Sequence, residues 1–390
     1  MSEPVLKLLH VAPWARTIGG IEAVLARHAE VDAILGFDSH QVSLFDKAPS
    51  LPEEPYSPQA FSWRTTPRQM RMAMARTCAN HAGSVVVWQG AWGLPWFADN
   101  DGSRRRIIYL HDNFARYAPL LPHLTGLVDG VFCCSKATAQ QVLLQMPGMT
   151  SDRVAVPPLP IFPPAELDFR RPEKREWIVG YVGRVERTHK RLDRLIPFMS
   201  EINRLGINCR VEVMGGGSLL PWLMRRLGAN PSVRFLGVQK GANYWRVLQS
   251  WDAVVSFSDH EGGPIALLEA MSAGAIPIYP TMMGSLGDDY TPQVDPRGYY
   301  AAGDPRAAAR ALQSLSSSPP QEVAEMHQRA HTLAWRHAVG DYERVFSDFV
   351  HRVAKLPRIS RAPRGARQAR LTDWLPLGLI TRLLPGALLR

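Results

Sequence analysis

Two glutamates eight positions apart, Glu261 and Glu269, enclose a glycine-rich turn. An apolar run at residues 253–257 precedes the turn and is typical of a buried strand, and a helical pattern at residues 265–273 follows it. A helix N-terminus offers unpaired N–H groups and a positive dipole end, which suit an anion such as phosphate. N–H donors beside two carboxylates suit a ligand that carries both phosphates and hydroxyls, as a nucleotide sugar does.

The residues between the two glutamates fit this chemistry. Gly262 and Gly263 allow a ligand to approach the backbone closely, and Pro264 fits the first helical position, where its missing N–H costs nothing. Glu269 lies about one turn into the helix and can point back toward the same ligand.

Cations and further glycines precede this turn in the chain. Residues 177–184 read as a buried strand that ends at Gly183 and Arg184, and Lys190 follows six residues later. Arg184 can form two parallel hydrogen bonds to a phosphate, and Lys190 can add a point charge. Two more strand patterns follow, at residues 210–217 and 233–237. Because strands alternate with helical patterns, we predict a parallel sheet with its ligand beyond the strand C-termini.

Four segments taken together resemble the retaining glycosyltransferases of family 4, the glycosyl transferases group 1, which have the GT-B fold. They are Gly183-Arg184 with Lys190, residues 214–217, residues 233–237 and the run from Glu261 to Glu269. The wider resemblance covers residues 8–350, but it is faint in the N-terminal half. It implies an α/β protein with GT-B architecture: two Rossmann-like parallel-sheet domains that face a cleft, and a C-terminal crossover helix.

The expected domain boundaries follow from this resemblance and from the prolines of residues 157–172, which indicate an interdomain linker. We expect an acceptor-side domain at 1–160, a nucleotide-sugar domain at 161–338, a crossover helix at 339–353 and a basic tail at 354–390. Length and composition agree with two domains, since 390 residues exceed one typical core and 46% are hydrophobic.

The resemblance also implies roles for particular residues. Glu269 would bind ribose hydroxyls, Glu261 the donor sugar, and Arg184 and Lys190 the diphosphate, with N–H groups near Pro264 and Ile265. The expected donor-binding set is Gly183, Arg184, Lys190, Gly215, Gly216, Leu236, Glu261, Gly262, Gly263, Pro264, Ile265 and Glu269. The expected acceptor-side set is Gly19, Gly20 and His111, and the expected catalytic set is His111, Glu261, Arg184 and Lys190.

The resemblance implies retention at the anomeric carbon, with no protein nucleophile established. The sequence motifs make no case for a metal or a cofactor. The chain departs from the common pattern in a longer loop from Arg184 to Lys190 and in Arg191, which stands where glycine is usual. Asp99-Asn100-Asp101 resembles a metal-binding carboxylate pair, but a polar turn before the next strand explains it better.

Each of these assignments has a simpler structural alternative. The glutamates can be ordinary acids of a solvated helix face, and the cations can be surface charges. Residues 215–217 can form a flexible turn, Gly19-Gly20 a common turn, and His111 can be a core histidine.

The N-terminal half contains fewer recognisable motifs. Strand patterns occupy residues 6–11, 85–88, 107–110 and 131–135, and helical patterns occupy residues 21–29 and 137–144. The proline-containing residues 46–68 indicate a loop region. After the second sheet, residues 304–330 are predicted to be helical, and residues 335–353 are predicted to form one further helix.

The tail carries most of the net charge. Residues 352–390 contain nine Lys or Arg and one acid, a net +8 of the total +10. Seven of these cations recur every third residue from Arg352 to Arg370, a spacing that would align them along one face of an extended chain. With the Trp/Leu segment at 374–384, the strip predicts attachment to an anionic membrane surface, although packing on the body and disorder are the alternatives. Nucleic acid is not an expected partner, because Trp374 is the single aromatic residue near the cations.

Composition indicates the compartment. The four cysteines form no CxxC pair, and the N-terminus lacks the apolar core of a signal peptide. The expected location is therefore the cytoplasm, peripheral to the inner membrane. The expected function is transfer from a UDP- or GDP-sugar to a saccharide or lipid-linked saccharide acceptor in polysaccharide or lipopolysaccharide assembly. The alternatives are a non-catalytic nucleotide-sugar sensor on the same fold and a phosphorylase-type enzyme.

Overall fold

The structure is a computed structural model that describes residues 5–16, 19–47, 55–98, 105–112, 117–165, 167, 176–282, 284–338, 340–360 and 371–383. It divides into two compact units. Unit 1 combines Met1–Pro157 with Tyr342–Arg390, and unit 2 is the continuous segment Pro158–Asp341. The Asp99-Asn100-Asp101 run lies outside the described residues.

Unit 1 contains a seven-stranded parallel sheet in the order β3-β2-β1-β4-β5-β6-β7. Its strands are β1 Leu6–Ala12, β2 Phe37–Ser43, β3 Tyr56–Pro58, β4 Val85–Gln89, β5 Arg106–Leu110, β6 Gly130–Cys133 and β7 Val154–Ala155. The sheet is rich in fully buried apolar side chains, as expected of parallel strands that are covered on both faces.

In the described part of unit 1 there are seven helices, numbered here in chain order. They are α1 Gly20–Val31, α2 Pro67–Asn80, α3 Leu94–Phe97, α4 Leu121–Leu124, α5 Lys136–Gln145, α13 Tyr342–Lys355 and α14 Leu377–Leu383. A capping box of Thr66 and Gln69 fixes the start of α2. The apolar face of α13 packs closely on β6, where a Cβ at Gly130 would lie 2.8 Å from a methyl group of Val353. Only glycine therefore fits at this point of the sheet.

Unit 2 contains a six-stranded parallel sheet in the order β10-β9-β8-β11-β12-β13. Its strands are β8 Trp177–Val182, β9 Cys209–Met214, β10 Val233–Gly237, β11 Ala253–Val255, β12 Ile276–Pro280 and β13 Tyr299–Tyr300. Its helices are α6 Leu195–Leu205, α7 Leu220–Leu227, α8 Gly241–Ser250, α9 Ile265–Ser272, α10 Leu286–Val294, α11 Pro305–Ser316 and α12 Pro320–Ala338. The predicted α/β class with two parallel sheets is confirmed.

The strand order of each sheet reverses once. In unit 2 the chain runs from β8 outward through β9 and β10 and then returns to β11 on the other side of β8. Beyond the carboxyl ends of β8 and β11 there is therefore a crevice, the usual ligand position in open parallel sheets. In unit 1 the same reversal falls between β1 and β4.

The prediction of one helix over residues 335–353 was wrong. Helix α12 runs on to Ala338, and α13 begins only at Tyr342. Gly340 lies between them in close contact with Pro158, since a Cβ there would come within 2.8 Å of the proline side chain. The predicted helical region 304–330 likewise contains two helices, because Pro320 begins α12 after a break that follows Ser316.

Two loop-like interpretations also need correction. Residues 46–68, expected to be a loop, include strand β3 and the first two residues of α2. Arg352 and Lys355, expected in an extended strip, lie on helix α13. Arg361, Arg364, Arg367 and Arg370 fall outside the described residues.

The described part of the tail packs on unit 1. The Asp129 carboxylate accepts hydrogen bonds from the backbone N–H groups of Ile359 and Ser360 at 3.0 and 2.9 Å. Further along, the Leu377 side chain is fully buried, and its N–H donates to the carbonyl of Thr65 at 3.0 Å. The Trp/Leu segment therefore contributes to the core of unit 1 as well as to its surface.

Within the described ranges, none of the helices combines the length and apolar character needed to span a bilayer.

Candidate functional site

The candidate site in unit 2 lies where the strand order reverses. Gly183 and Arg184 directly follow β8, and Glu261 follows β11, the neighbouring strand. Lys190 belongs to the loop after β8, which ends in a short turn at Leu192–Arg194 before α6. The sheet thus brings the ends of two segments together that are 71 residues apart in the chain.

Lys190 and Glu261 form a direct ion pair in this crevice between Nζ and Oε1. The same carboxylate oxygen accepts a hydrogen bond from the Ser258 hydroxyl at 2.6 Å. The side chains of Lys190 and Glu261 are 23% and 12% exposed, so both charges are partly desolvated and remain within reach of a ligand. A partly buried cation held in this way is suited to meet a phosphate.

Arg184 is placed differently. Its backbone carbonyl accepts a hydrogen bond from the Tyr181 hydroxyl at 2.7 Å, while its side chain is 49% exposed and lies 3.4 Å from Glu186. The hydrogen bond from Tyr181 fixes the backbone of the turn, whereas the guanidinium pairs with Glu186 and is half exposed to solvent.

Arg191, which stands where glycine is usual in the family pattern, keeps a backbone conformation typical of glycine. Its backbone is left-handed, with φ 48°, a conformation that glycine adopts most easily. Its guanidinium lies 2.9 Å from Asp259, and Arg194 lies 2.6 Å from the same carboxylate. These ion pairs tie the loop to the chain that follows β11, and they accompany a backbone conformation unusual for arginine.

The glycines after β8, β9 and β10 form a close seam. Gly183 N–H donates to the Met214 carbonyl at 3.1 Å, and Gly215 N–H donates to the Gly237 carbonyl at 2.8 Å. Gly215 has φ 145°, and a Cβ there would lie 1.9 Å from the Gly183 carbonyl oxygen. At Gly216 the nearest atom to such a Cβ is a Val238 methyl at 3.2 Å. Gly215 is thus required by backbone packing, whereas Gly216 has more space.

The turn between the two glutamates is held from below by helix α10. The Gly262 carbonyl accepts a hydrogen bond from the Leu286 N–H at 2.9 Å, and Ser285 and Asp288 form a capping box at the start of α10. Gly262 and Pro264 are buried, and Gly263 is half-buried. The hydrogen bond from Leu286 to Gly262 thus fixes the position of the turn relative to helix α10.

Pro264 was predicted at the first helical position, but it occupies the N-cap of α9, one residue earlier. The first helical residue is Ile265, and its N–H donates to the Gly263 carbonyl at 2.9 Å. This N–H group would have to exchange that bond in order to contact a phosphate.

Glu269 is paired with a residue that the sequence interpretation missed. The Tyr244 hydroxyl, on helix α8, donates to Glu269 Oε2 at 2.5 Å. Burial raises the pKa of Glu269 to about 7, and the hydrogen bond from Tyr244 opposes the shift only in part. Tyr244 carries no motif, so only the packing of α8 beside α9 reveals it. Leu236, on β10, is half-buried, and its carbonyl accepts a hydrogen bond from the Gln239 side chain.

The acceptor-side candidates lie in unit 1. Gly19 and Gly20 form the N-cap and first residue of α1, on the carboxyl side of β1. His111 directly follows β5, stacks on Tyr109 at 4.1 Å between ring centroids and lies 2.7 Å from Gln89 through its Nε2. Burial lowers the pKa of His111 to about 3, so the ring is neutral at physiological pH.

A family assignment agrees with this geometry. Residues 165–332 match the family model described as glycosyl transferases group 1. The matched residues include the Lys190–Glu261 pair, the glycine seam and Glu269. The predicted resemblance to the glycosyl transferases group 1 is therefore confirmed for this segment. A comparison with curated proteins finds no sequence match.

Solved structures agree on the fold. The chain is similar to HepE from Anabaena in complex with UDP and glucose, with a TM-score of 0.66 and 14% identity over 90% of this chain and 100% of that chain. It is similar to the lipopolysaccharide outer core galactosyltransferase WaaB in its apo form, with a TM-score of 0.63 and 17% identity over 89% of this chain and 99% of that chain.

A further similarity is to S. aureus TarM in complex with fondaparinux, α-GlcNAc-glycerol and UDP. The TM-score is 0.56 and the identity 15%, over 73% of this chain and 59% of that chain, so the chain spans little more than half of TarM. At these identities the likeness establishes the fold, and the GT-B architecture predicted from the sequence is confirmed.

Proposed function

We propose that this protein transfers a sugar from a nucleotide-diphosphate sugar to a hydroxyl of a saccharide or lipid-linked saccharide, with retention at the anomeric carbon. The observation that carries the proposal is the partly desolvated Lys190–Glu261 pair beside the ends of β8 and β11. UDP is the favoured nucleotide, because the HepE and TarM complexes contain it. The WaaB likeness favours a role in lipopolysaccharide or other surface-polysaccharide assembly.

The proposed chemistry needs a cation that is positioned before the donor arrives. During transfer the bond between the anomeric carbon and the diphosphate oxygen breaks, and the acceptor oxygen bonds to the same carbon from the same face. The proton of the acceptor hydroxyl passes to the departing diphosphate oxygen. Negative charge accumulates on the departing diphosphate, where Lys190 and Arg184 stabilise it. When Lys190 turns to the phosphate, Glu261 remains held by Ser258 at 2.6 Å and becomes free to accept hydrogen bonds from the donor sugar.

Glu269 makes donor binding sensitive to pH. Ribose hydroxyls donate to a carboxylate, so they favour the ionised form of a group whose pKa burial raises to about 7. Donor affinity is therefore expected to rise about tenfold between pH 6 and pH 8, as the ionised fraction increases, and to stay low and flat in Glu269→Gln. Isothermal titration with a nucleotide sugar, which lacks a phosphate monoester that titrates in this range, checks the expectation. Affinity that falls with rising pH would contradict the assigned role of Glu269.

A donor screen tests the proposed function itself. UDP-, GDP- and ADP-sugars are compared for thermal stabilisation, since a ligand at a hundred times its Kd adds about 2.7 kcal/mol to the free energy of unfolding. We expect a UDP-sugar to raise the melting temperature of the wild type and to leave that of the Glu261→Gln/Glu269→Gln variant unchanged. Equal stabilisation of both proteins would place the nucleotide elsewhere and overturn the proposal. Stabilisation without release of nucleoside diphosphate, across a panel of acceptors, would instead favour a nucleotide-sugar sensor.

The proposal includes an anionic membrane surface as a partner, which would place the protein at the cytoplasmic face of the inner membrane. One face of unit 1, termed here the arginine–tryptophan face, combines exposed apolar and cationic side chains. They are Trp63, Arg64, Arg68, Met72, Arg76, Trp374, Leu379 and Arg382.

Two contacts join the Trp63 turn and helix α2 to the tail segment that carries Trp374. The Arg68 guanidinium lies over the Trp374 ring at 4.0 Å, and the Gly378 N–H donates to the Trp63 carbonyl at 2.8 Å. Trp63 and Trp374 are 63% and 57% exposed, which is unusual for large aromatic side chains of a stable surface. Aromatic rings at headgroup depth with cations around them suit an anionic bilayer, where each cation contributes roughly 1 kcal/mol.

Charge neutralisation is the sharper test of this partner, because deletion of residues 354–390 would also remove the buried Leu377. The Arg64→Gln/Arg68→Gln/Arg382→Gln variant is expected to lose most co-sedimentation with vesicles that contain phosphatidylglycerol at low salt. The matched control, Arg225→Gln/Arg234→Gln/Arg246→Gln, removes three exposed cations of unit 2 and should retain it. Equal loss in both variants would indicate a response to net charge alone and would refute a docking face.

A further inference from the structure

A chain of five hydrogen bonds connects six polar side chains inside unit 1. It runs from the start of α13 through α1 and across the neighbouring strands β1 and β4 to the residue that follows β5. In order, its members are Tyr342, His28, Asp32, His10, Gln89 and His111. The first five are at most 1% exposed, so bulk solvent does not reach them.

Gln89 fixes the direction of the bonds at the His111 end. Its Oε1 can only accept, so the His111 Nε2 at 2.7 Å must carry the proton. Its Nε2 can only donate, so the His10 Nδ1 at 3.3 Å must accept. A neutral His10 then carries its proton on Nε2, which lies 3.0 Å from Asp32 Oδ2.

The hydrogen bonds at the Tyr342 end of the chain are consistent with these proton positions. Asp32 Oδ1 accepts from the His28 Nδ1 at 2.8 Å, and the His28 Nε2 accepts from the Tyr342 hydroxyl at 2.8 Å. Burial raises the pKa of the Asp32 carboxyl, but the bonds from His10 and His28 outweigh burial and hold it well below its usual value. Burial lowers the pKa of His28. One ionised carboxylate with neutral neighbours therefore satisfies every bond in the chain.

A metal ion is the other chemistry that His10, His28 and Asp32 could support, since their candidate ligand atoms lie within 4.8 Å of one another. Yet both histidine nitrogens that face Asp32 already donate to it. An ion would have to break both bonds at a fully buried point, so hydrogen bonding accounts for the cluster.

We propose that this chain of hydrogen bonds holds His111 as the Nε2–H tautomer. The Nδ1 atom of His111 can then accept a hydrogen bond from a substrate hydroxyl. The inference rests on the proposed transferase function, in which His111 is on the acceptor side. Gln89 acts on His111 directly, whereas His10 and Asp32 act by fixing the orientation of the Gln89 amide. His111 thereby orients a hydroxyl and keeps its own proton.

The tautomer can be read directly in the full-length protein by 15N-histidine NMR, without any assay of activity. We expect His111 to show a protonated Nε2 and an unprotonated Nδ1 from pH 5.5 to 8, and His10 to be neutral with its proton on Nε2. The reversed amide orientation of Gln89 would give His111 a proton on Nδ1 and make His10 an imidazolium. Either observation in the wild type would overturn the proposal.

Substitution of Gln89 tests the positioning role. Gln89→Met should release the His111 ring, mix its tautomers and lower kcat by on the order of tenfold while KM for the donor stays within twofold. Gln41→Met is the matched control. Gln41 is also buried in this sheet, but its side chain donates to the Leu25 carbonyl, which is not part of the hydrogen-bond chain. The control should leave the His111 signals and kcat unchanged. An unchanged His111 spectrum in Gln89→Met would refute the role of the chain. If NMR shows the predicted tautomers but the protein has no transfer activity, the hydrogen-bond chain is supported and the proposed function is contradicted.

Discussion

Replacing Lys190 with methionine is expected to lower the rate of sugar transfer by on the order of 100-fold, or ~3 kcal/mol of transition-state stabilisation. The ammonium group is already held at the end of β8 by Glu261, so its removal deprives the diphosphate of a preorganised charge. Arg184, which is half exposed and lies 3.4 Å from Glu186, should compensate little. Steady-state kinetics with a UDP-sugar should show the loss mainly in kcat.

A matched ion pair in the same unit provides the control. Arg204 lies 2.7 Å from Glu201 on α6, with its side chain 64% exposed. Arg204→Met removes a cation–carboxylate pair at an exposed surface of the same unit and should leave kcat and stability nearly unchanged. If Lys190→Met retains a rate within threefold of the wild type, Lys190 has no role in the chemistry. The Lys190→Met/Glu261→Gln double variant should be slower still if Glu261 also binds the donor sugar.

Alanine at Gly215 is expected to destabilise unit 2 by on the order of 3 kcal/mol or more. The new Cβ would lie 1.9 Å from the Gly183 carbonyl oxygen, on a backbone whose φ of 145° suits only glycine. Relief would require the ends of β8 and β9 to separate, and these ends carry the proposed donor site. Urea denaturation, monitored by tryptophan fluorescence, measures the change.

Gly216→Ala separates a structural from a binding role of the glycine seam. Its Cβ would meet only a Val238 methyl at 3.2 Å, so stability should change by less than about 1 kcal/mol. If the backbone at Gly216 approaches the donor as the sequence predicts, this variant should stay folded and lose donor affinity. Equal destabilisation by both substitutions would contradict the packing account of Gly215.

Sequence patterns predicted the parts of the site that depend on strand ends. Lys190 and Glu261 each follow an apolar strand pattern, and parallel strands place such positions at one edge of the sheet. The fold class followed from the same alternation of strands and helices. These features are local in sequence and repeat along the chain.

Features that depend on tertiary placement were missed. Tyr244 meets Glu269 only because α8 packs beside α9, and Asp259 meets Arg191 only because a left-handed residue turns the loop toward it. The break before α13 depends on how closely Gly340 approaches Pro158, which are 182 positions apart. None of these pairs has a sequence spacing that would indicate contact.

The tail shows a similar limit. Its regular cation spacing suggested an extended strip, but the first of these cations belong to a helix with a buried apolar face. Leu377 and Ile380 have the apolar character expected of a membrane-facing residue, yet both are buried in unit 1. Composition alone does not distinguish an apolar side chain that meets lipid from one that completes a protein core.

The discontinuous first unit has a consequence for the order in which the protein is made. A ribosome delivers Met1–Pro157 first, but the segment from Tyr342 onward, which completes the same unit, emerges only after all of Pro158–Asp341. Until then His28 lacks Tyr342, and the surface of β6 around Gly130 lacks Phe349 and Val353. We infer that the nascent chain exposes this apolar surface during much of its synthesis, so that the continuous second unit can reach its native state before the first.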